Sequence, residues 1–276
     1  MHDEEVLPTH KPGGGNNDQP PEYPPGYEEE QKAEDEIAPD KRAIAEPLIE
    51  TFGEPNVKNI FSRTWSLREK GLQEIEDDIV NRRCGDEAEA FVGGVHIVKN
   101  TIADKIAGVC QRSIVFMTNL CIHSNPHLTE PQKKDVVHQA DFIMATLIEK
   151  LGDNLQKVRQ SAEDAILAMC NHPAFGARLC LGYIMRSAPP TNASATAKKT
   201  MNSNKQIIGK YQVLHRILGE VDNLSDGQLE QSLKFTLKGL THALQDVRQP
   251  ATRCMVELYK LIGPSVRDHF GELRQA

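Results

Sequence analysis

Apolar residues recur along most of this chain at helical spacing. Val109, Phe116 and Leu120, then Val158, Ala162, Ala165 and Met169, then Val247, Ala251, Cys254 and Leu258 follow the i, i+4, i+7, i+11 pattern of one buried helical stripe. The starts of these helices resemble one another: "LREKGL" at 67–72, "VCQRSI" at 109–114, "VRQSAE" at 158–163 and "VRQPAT" at 247–252, separated by 42, 49 and 89 residues. The last separation is about twice a period of 40–47, the length of two-helix HEAT or armadillo repeats. A missing start is therefore expected near residue 205. There Ser203 and Gln206 of "NSNKQIIGKY" have the spacing of a capping box.

Four residues after each lead position stands a small one, Gly71, Ser113, Ala162 or Ala251, which lets helices approach to the close end of the 8–10 Å range. Partner helices are expected at about 86–103, 131–150, 173–187 and 226–243, with Thr129–Gln132 and Ser225–Gln228 as capping boxes. The fold class is all-α. It reads as a right-handed α-solenoid of about five to six HEAT-like hairpins. A content of 5% aromatic residues agrees, since large flat side chains are scarce. The cysteines Cys84, Cys110, Cys121, Cys170, Cys180 and Cys254 fall mostly inside apolar patterns at irregular spacing, as reduced core thiols do, and no disulfide is expected.

Charge divides the chain. Residues 1–50 carry 14 acids against 4 bases, whereas residues 51–276 carry 25 against 28. Residues 1–45, rich in proline, glycine and acids, are read as a disordered tail or linker, and residues 46–276 as the folded domain. A surplus of three bases over the rest is no basic footprint, so nucleic acid is not an expected partner. No apolar run approaches the roughly 18 residues that would span a bilayer, so no membrane association is expected.

The one tryptophan stands in "FSRTWSLREK". Ser66 and Glu69 have capping-box spacing, which places Trp65 just outside the helix, with only the Lys70 stem to pack on. In a solenoid, all turns inside hairpins line one edge. These turns are expected at 62–65, 103–108, 152–157, 200–205 and 244–246. Arg63, Lys105, Lys157 and Lys205 fall in four of them, and Arg248 lies just inside the helix after the fifth. Arg68, Arg159 and Arg248 also recur at one helical position, as an ion pair internal to each repeat would require.

A HEAT solenoid with a lone tryptophan in "RTWSLRE" of its first turn and lysines in later turns resembles a TOG domain, the tubulin-binding module of microtubule regulators. "RTWSLREKGL", "DKIAGV", "LQKVRQSAEDAI" and "VLHRIL" are most similar to the TOG domain of a centrosomal and ciliary-tip protein family. The resemblance covers roughly residues 47–270. It implies a monomeric module that grips curved αβ-tubulin, in the cytoplasm and cytoskeleton, at centrioles and ciliary or flagellar tips. Trp65 would touch β-tubulin, Arg63, Lys105, Lys157 and Lys205 would line the contact, and Arg248 is the nearest cation in a fifth turn whose Asp246 departs from the pattern.

The alternative is a HEAT or armadillo adaptor that holds a peptide or another protein on its helix faces. No regular asparagine series marks such a face. Phosphate-loop, nucleophile-elbow and H-E-x-x-H motifs are absent, so an enzyme is not expected. Cys121, His123, Cys170 and His172 invite a zinc site, but no pair has the spacing of a finger knuckle. Neither metal nor cofactor is expected.

Overall fold

A computed structural model describes residues 36–186 and 198–267, and side chains other than those of residues 198–203. A short 3-10 turn, Pro39–Lys41, leads into eleven α-helices. They are α1 (Arg42–Phe52), α2 (Glu54–Phe61), α3 (Trp65–Val80), α4 (Glu87–Thr101), α5 (Ala107–His123), α6 (Glu130–Lys150), α7 (Gln156–Asn171), α8 (Gly176–Ile184), α9 (Lys198–Glu220), α10 (Asp226–Leu240) and α11 (Gln245–Ile262). No strand occurs among the described residues.

The helices form five hairpins in two layers. Helices α3, α5, α7, α9 and α11 stack in chain order, each on the next, while α1 with α2, then α4, α6, α8 and α10 form the layer in front. The front helix of the first hairpin is broken into α1 and α2. Gly53 makes the break with φ of 80°, a conformation that costs a residue with a Cβ. Pro47 lies inside α1, so the first helix starts a few residues before the expected domain boundary at residue 46. Thr129 with Gln132 and Ser225 with Gln228 form the two expected capping boxes.

The small residues sit where the layers touch. A Cβ on Gly71 would lie 2.8 Å from Asn59 Cβ on α2 and 3.0 Å from the Asn56 carbonyl, so only glycine permits this approach of α3 to α2. Ser113, Ala162 and Ala251 are fully buried in the equivalent places. Phe91, Phe116, Leu72 and Ile75 fill the first half of one continuous core, and Leu214, Ile217 and Leu258 the second. All six cysteines are free thiols, and five are buried.

Two expected helix starts are corrected. Helix α3 begins at Trp65 with Thr64 as N-cap, not at Ser66, so the tryptophan is the first helical residue. Helix α9 runs unbroken from Lys198, so residues 200–205 are helix rather than the expected fourth turn, and Ser203 lies inside the helix rather than at its start. In each case a capping-box spacing fell inside a helix that starts upstream. Gln206 instead reaches out of α9 and donates to the Ile148 carbonyl at 3.0 Å.

Candidate functional site

The turns inside four hairpins, α2–α3, α4–α5, α6–α7 and α10–α11, share one build. In each, a side chain accepts the backbone N–H two residues on: Ser62 Oγ from Thr64 at 3.1 Å, Asp104 Oδ1 from Ile106 at 2.8 Å, Asp153 Oδ1 from Leu155 at 2.9 Å and His242 Nδ1 from Leu244 at 3.1 Å. The donor residue is then the N-cap of the following helix, with ψ between 115° and 129°. Local side-chain acceptors of this kind set the direction of the chain before the helix takes over.

An arginine fastens three of these turns from behind. At the fourth position of α3, Arg68 Nη1 donates to the carbonyls of Ser62 and Arg63, each at 2.9 Å. Arg159 in α7 does the same to Asp153 and Asn154 at 2.7 and 3.0 Å, and Arg248 in α11 to His242 and Ala243 at 2.8 and 2.7 Å. The fourth residue of α5 is Cys110, which cannot fill this role. There Arg68 reaches across from the previous hairpin and grips Asp104 with Nε at 2.8 Å and Nη2 at 3.1 Å. The repeated arginine is therefore a turn fastener, and among the described residues only Arg68 forms the ion pair that its recurrence suggested.

This build throws one large apolar side chain into solvent at each turn. Trp65 is 50% exposed, Ile106 41%, Leu155 59% and Leu244 41%. N-cap positions ordinarily carry Ser, Thr, Asp or Asn, so an exposed Ile or Leu there caps nothing and has no role in the fold's hydrogen bonding. Ile106, Leu155 and Leu244 escaped the sequence reading. Their signal was an apolar residue three before each buried lead, Val109, Val158 and Val247.

The expected cations separate into two groups. Arg63, Lys105 and Lys157 are exposed on this edge, and none has an ion-pair partner among the described residues. Lys205 is not in a turn: it lies on α9, and its Nζ donates to Asn154 Oδ1 in the third turn at 2.7 Å. Arg248 is half-buried and committed by one nitrogen to its own turn. Asp246, in the first turn of α11, is exposed beside it.

The zinc candidates do not assemble. His172 is buried and uses both ring nitrogens, Nε2 at the Ser124 carbonyl at 2.9 Å and Nδ1 as acceptor of the Ala174 N–H at 3.2 Å. Its ring also stacks on Phe91 at 4.6 Å. Among the described residues no cluster of His, Cys, Asp and Glu suits a metal ion, and no helix is long and apolar enough to cross a membrane.

A helical-hairpin array whose four described turns share one build, each with an exposed apolar residue, defines a HEAT-repeat solenoid. The model of the family "Centrosomal protein CEP104, TOG domain" matches residues 42–254, and the chain belongs to that family. The mouse centrosomal protein of 104 kDa is 23% identical over 222 residues, which are 78% of this chain and 23% of that protein. This chain thus spans about a quarter of that relative's length. The solved TOG domain of human Cep104 is 19% identical, with 84% of this chain and 88% of that one aligned at a TM-score of 0.56. A structure concerning TOG–tubulin binding specificity is 15% identical, with 89% of each chain aligned at 0.57. At such identities the structural likeness establishes the fold.

Proposed function

We propose that this chain is a non-enzymatic, monomeric tubulin-binding module that engages αβ-tubulin through the aligned turns. The observation that carries the reading is the repeated turn, which holds Trp65, Ile106, Leu155 and Leu244 in water on one edge with Arg63, Lys105 and Lys157 beside them. Exposed apolar side chains ranked along one edge and framed by free cations suit a partner with an acidic surface and shallow apolar pockets. A rigid tryptophan at one end supplies the kind of anchor that dominates binding energy.

Membership of the centrosomal family supports a place at microtubule ends, at centrioles or ciliary tips. A single domain of this kind can hold one tubulin dimer. Any effect on growth depends on tethering to the lattice by other means.

Co-elution of the purified chain with unpolymerised αβ-tubulin on a sizing column tests the proposal. A complex that disappears when Trp65 and Leu155 are replaced is the expected result. A folded chain that never shifts, at tens of micromolar, rejects it.

A further inference from the structure

A second surface lies off the turn edge, along α7. Residues of this helix from Gln156 to Asn171, among them Arg159, Glu163, Asp164 and Leu167, lie on one stripe and line two adjoining hollows, of about 260 and 510 Å³. The stripe runs the full helix, about 22 Å at 1.5 Å per residue. Arg216 of α9 stands in the wall of both hollows and joins them.

The two hollows differ in chemistry. The first is walled by Gln156, Gln212, Arg159 and Arg253. Its other cation, Arg216, is neutralised by Asp164 at 2.6 Å and Glu220 at 3.1 Å, with Glu163 at 3.9 Å. His215 faces Glu257 at 3.8 Å. Among the described residues Arg253 has no such partner, and Arg159 donates through Nη1 to backbone carbonyls and lies beside Glu163 in the same wall. Arg159 and Arg253 therefore face this hollow without an ion pair among the described residues, and Glu163, mostly turned toward Arg216, is the one carboxylate in its wall. The second hollow is floored by Leu167, Ala168 and Pro173 and edged by Ile122, which is 63% exposed. Nothing in the fold needs an isoleucine in water there.

We infer that this face is a docking groove for an extended peptide that carries a carboxylate and, about four residues away, an aliphatic side chain. The length of the stripe accommodates about seven extended residues at 3.3 Å each. The carboxylate would meet Arg253 and Arg159, a charge-assisted contact. The aliphatic side chain would enter beside Ile122 and Leu167. Arg159 and Leu167 are eight helical residues apart, about 12 Å, which sets the four-residue spacing. The amides of Gln156 and Gln212 can pair with the peptide backbone at the carboxylate end. This surface adjoins the proposed tubulin edge only at its Gln156 end and runs away from it along α7, so the chain can act as an adaptor as well.

Fluorescein-labelled synthetic peptides with one Glu pair and one Leu, at separations from two to six residues, titrated with the whole chain, test the inference. Binding is expected to peak near a separation of four. It is expected to fall about tenfold or more with Arg253→Glu and with Ile122→Asp, both at exposed positions where helicity should persist, and to be unchanged by Trp65→Ala. Binding that ignores the separation, that survives both groove substitutions, or that vanishes with Trp65→Ala overturns the inference, as does absence of binding by every peptide. The Trp65→Ala arm separates failure of the groove from failure of the tubulin reading.

Discussion

Arg68 and Asp104 tie the first turn to the second. The arginine holds the carbonyls of Ser62 and Arg63 with one nitrogen, and the Asp104 carboxylate with the other two at 2.8 and 3.1 Å. Asp104 in turn accepts the Ile106 N–H that starts α5. Both side chains are largely buried, at 15% and 14% exposure, so removing one leaves the other charge without its partner.

Asp104→Ala is therefore expected to cost about 3 kcal/mol of unfolding free energy, in the range for breaking a buried pair. A double-mutant cycle with Arg68→Ala, read by urea denaturation, should show that the two losses are strongly non-additive. Additive losses would mean that the pair does not couple the two turns.

Trp65→Ala should separate binding from folding. With half of the indole in water, stability is expected to change by less than about 1.5 kcal/mol, well under the 3–5 kcal/mol of a core tryptophan. Tubulin affinity is expected to fall about thirtyfold. Since this is the only tryptophan, the free protein should emit at long wavelength, be quenched by iodide, and be shielded by tubulin. A blue-shifted emission that iodide cannot quench would make Trp65 a core residue.

Charge and apolar contact at the edge should act on different rate constants. The double reversal of Lys105 and Lys157 to Glu is expected to slow association and to lessen its dependence on salt, because these charges steer the encounter. Leu155→Asp is expected mainly to speed dissociation, since 59% of this leucine is available for burial by a partner. Stopped-flow measurement of both constants decides. If the double reversal leaves association unchanged at low salt, the edge is not the interface.

Stability should fall with acid through His172. Burial holds its imidazole below the ordinary histidine pKa, outweighing the bond to the Ser124 carbonyl that favours the charged form. The native state thus keeps the ring neutral where the unfolded chain already binds a proton. Stability is complete above the unfolded value of about 6.5 and declines as pH falls from there toward the folded value. Protonation of Nδ1 would also set two donors, the ring and the Ala174 N–H, against each other. Chemical denaturation from about pH 7 to about pH 5 should show this decline in the parent and a shallower one in His172→Phe. Parallel curves would assign the acid sensitivity elsewhere.

Much of this protein was legible before any coordinate. The stripes ending in Met169 and Leu258, the small residues from Gly71 to Ala251 and the boxes at Thr129 and Ser225 depend on neighbours within a few positions, so sequence alone determined the helices, the hairpin period and the class of fold. The same locality explains the failures. Ser66–Glu69 and Ser203–Gln206 have the spacing of a cap, but a cap forms only where a helix begins, and the chain upstream had already begun both helices. Only the tertiary structure decided that Lys205 reaches the third turn, that Arg248 fastens its own turn, and that Arg68 serves two. It also decided which apolar residues stay in water. Leu155 and Val158 are alike in sequence, yet one is 59% exposed and the other buried. Burial is set by what the neighbouring hairpin covers, and no residue type carries that information by itself.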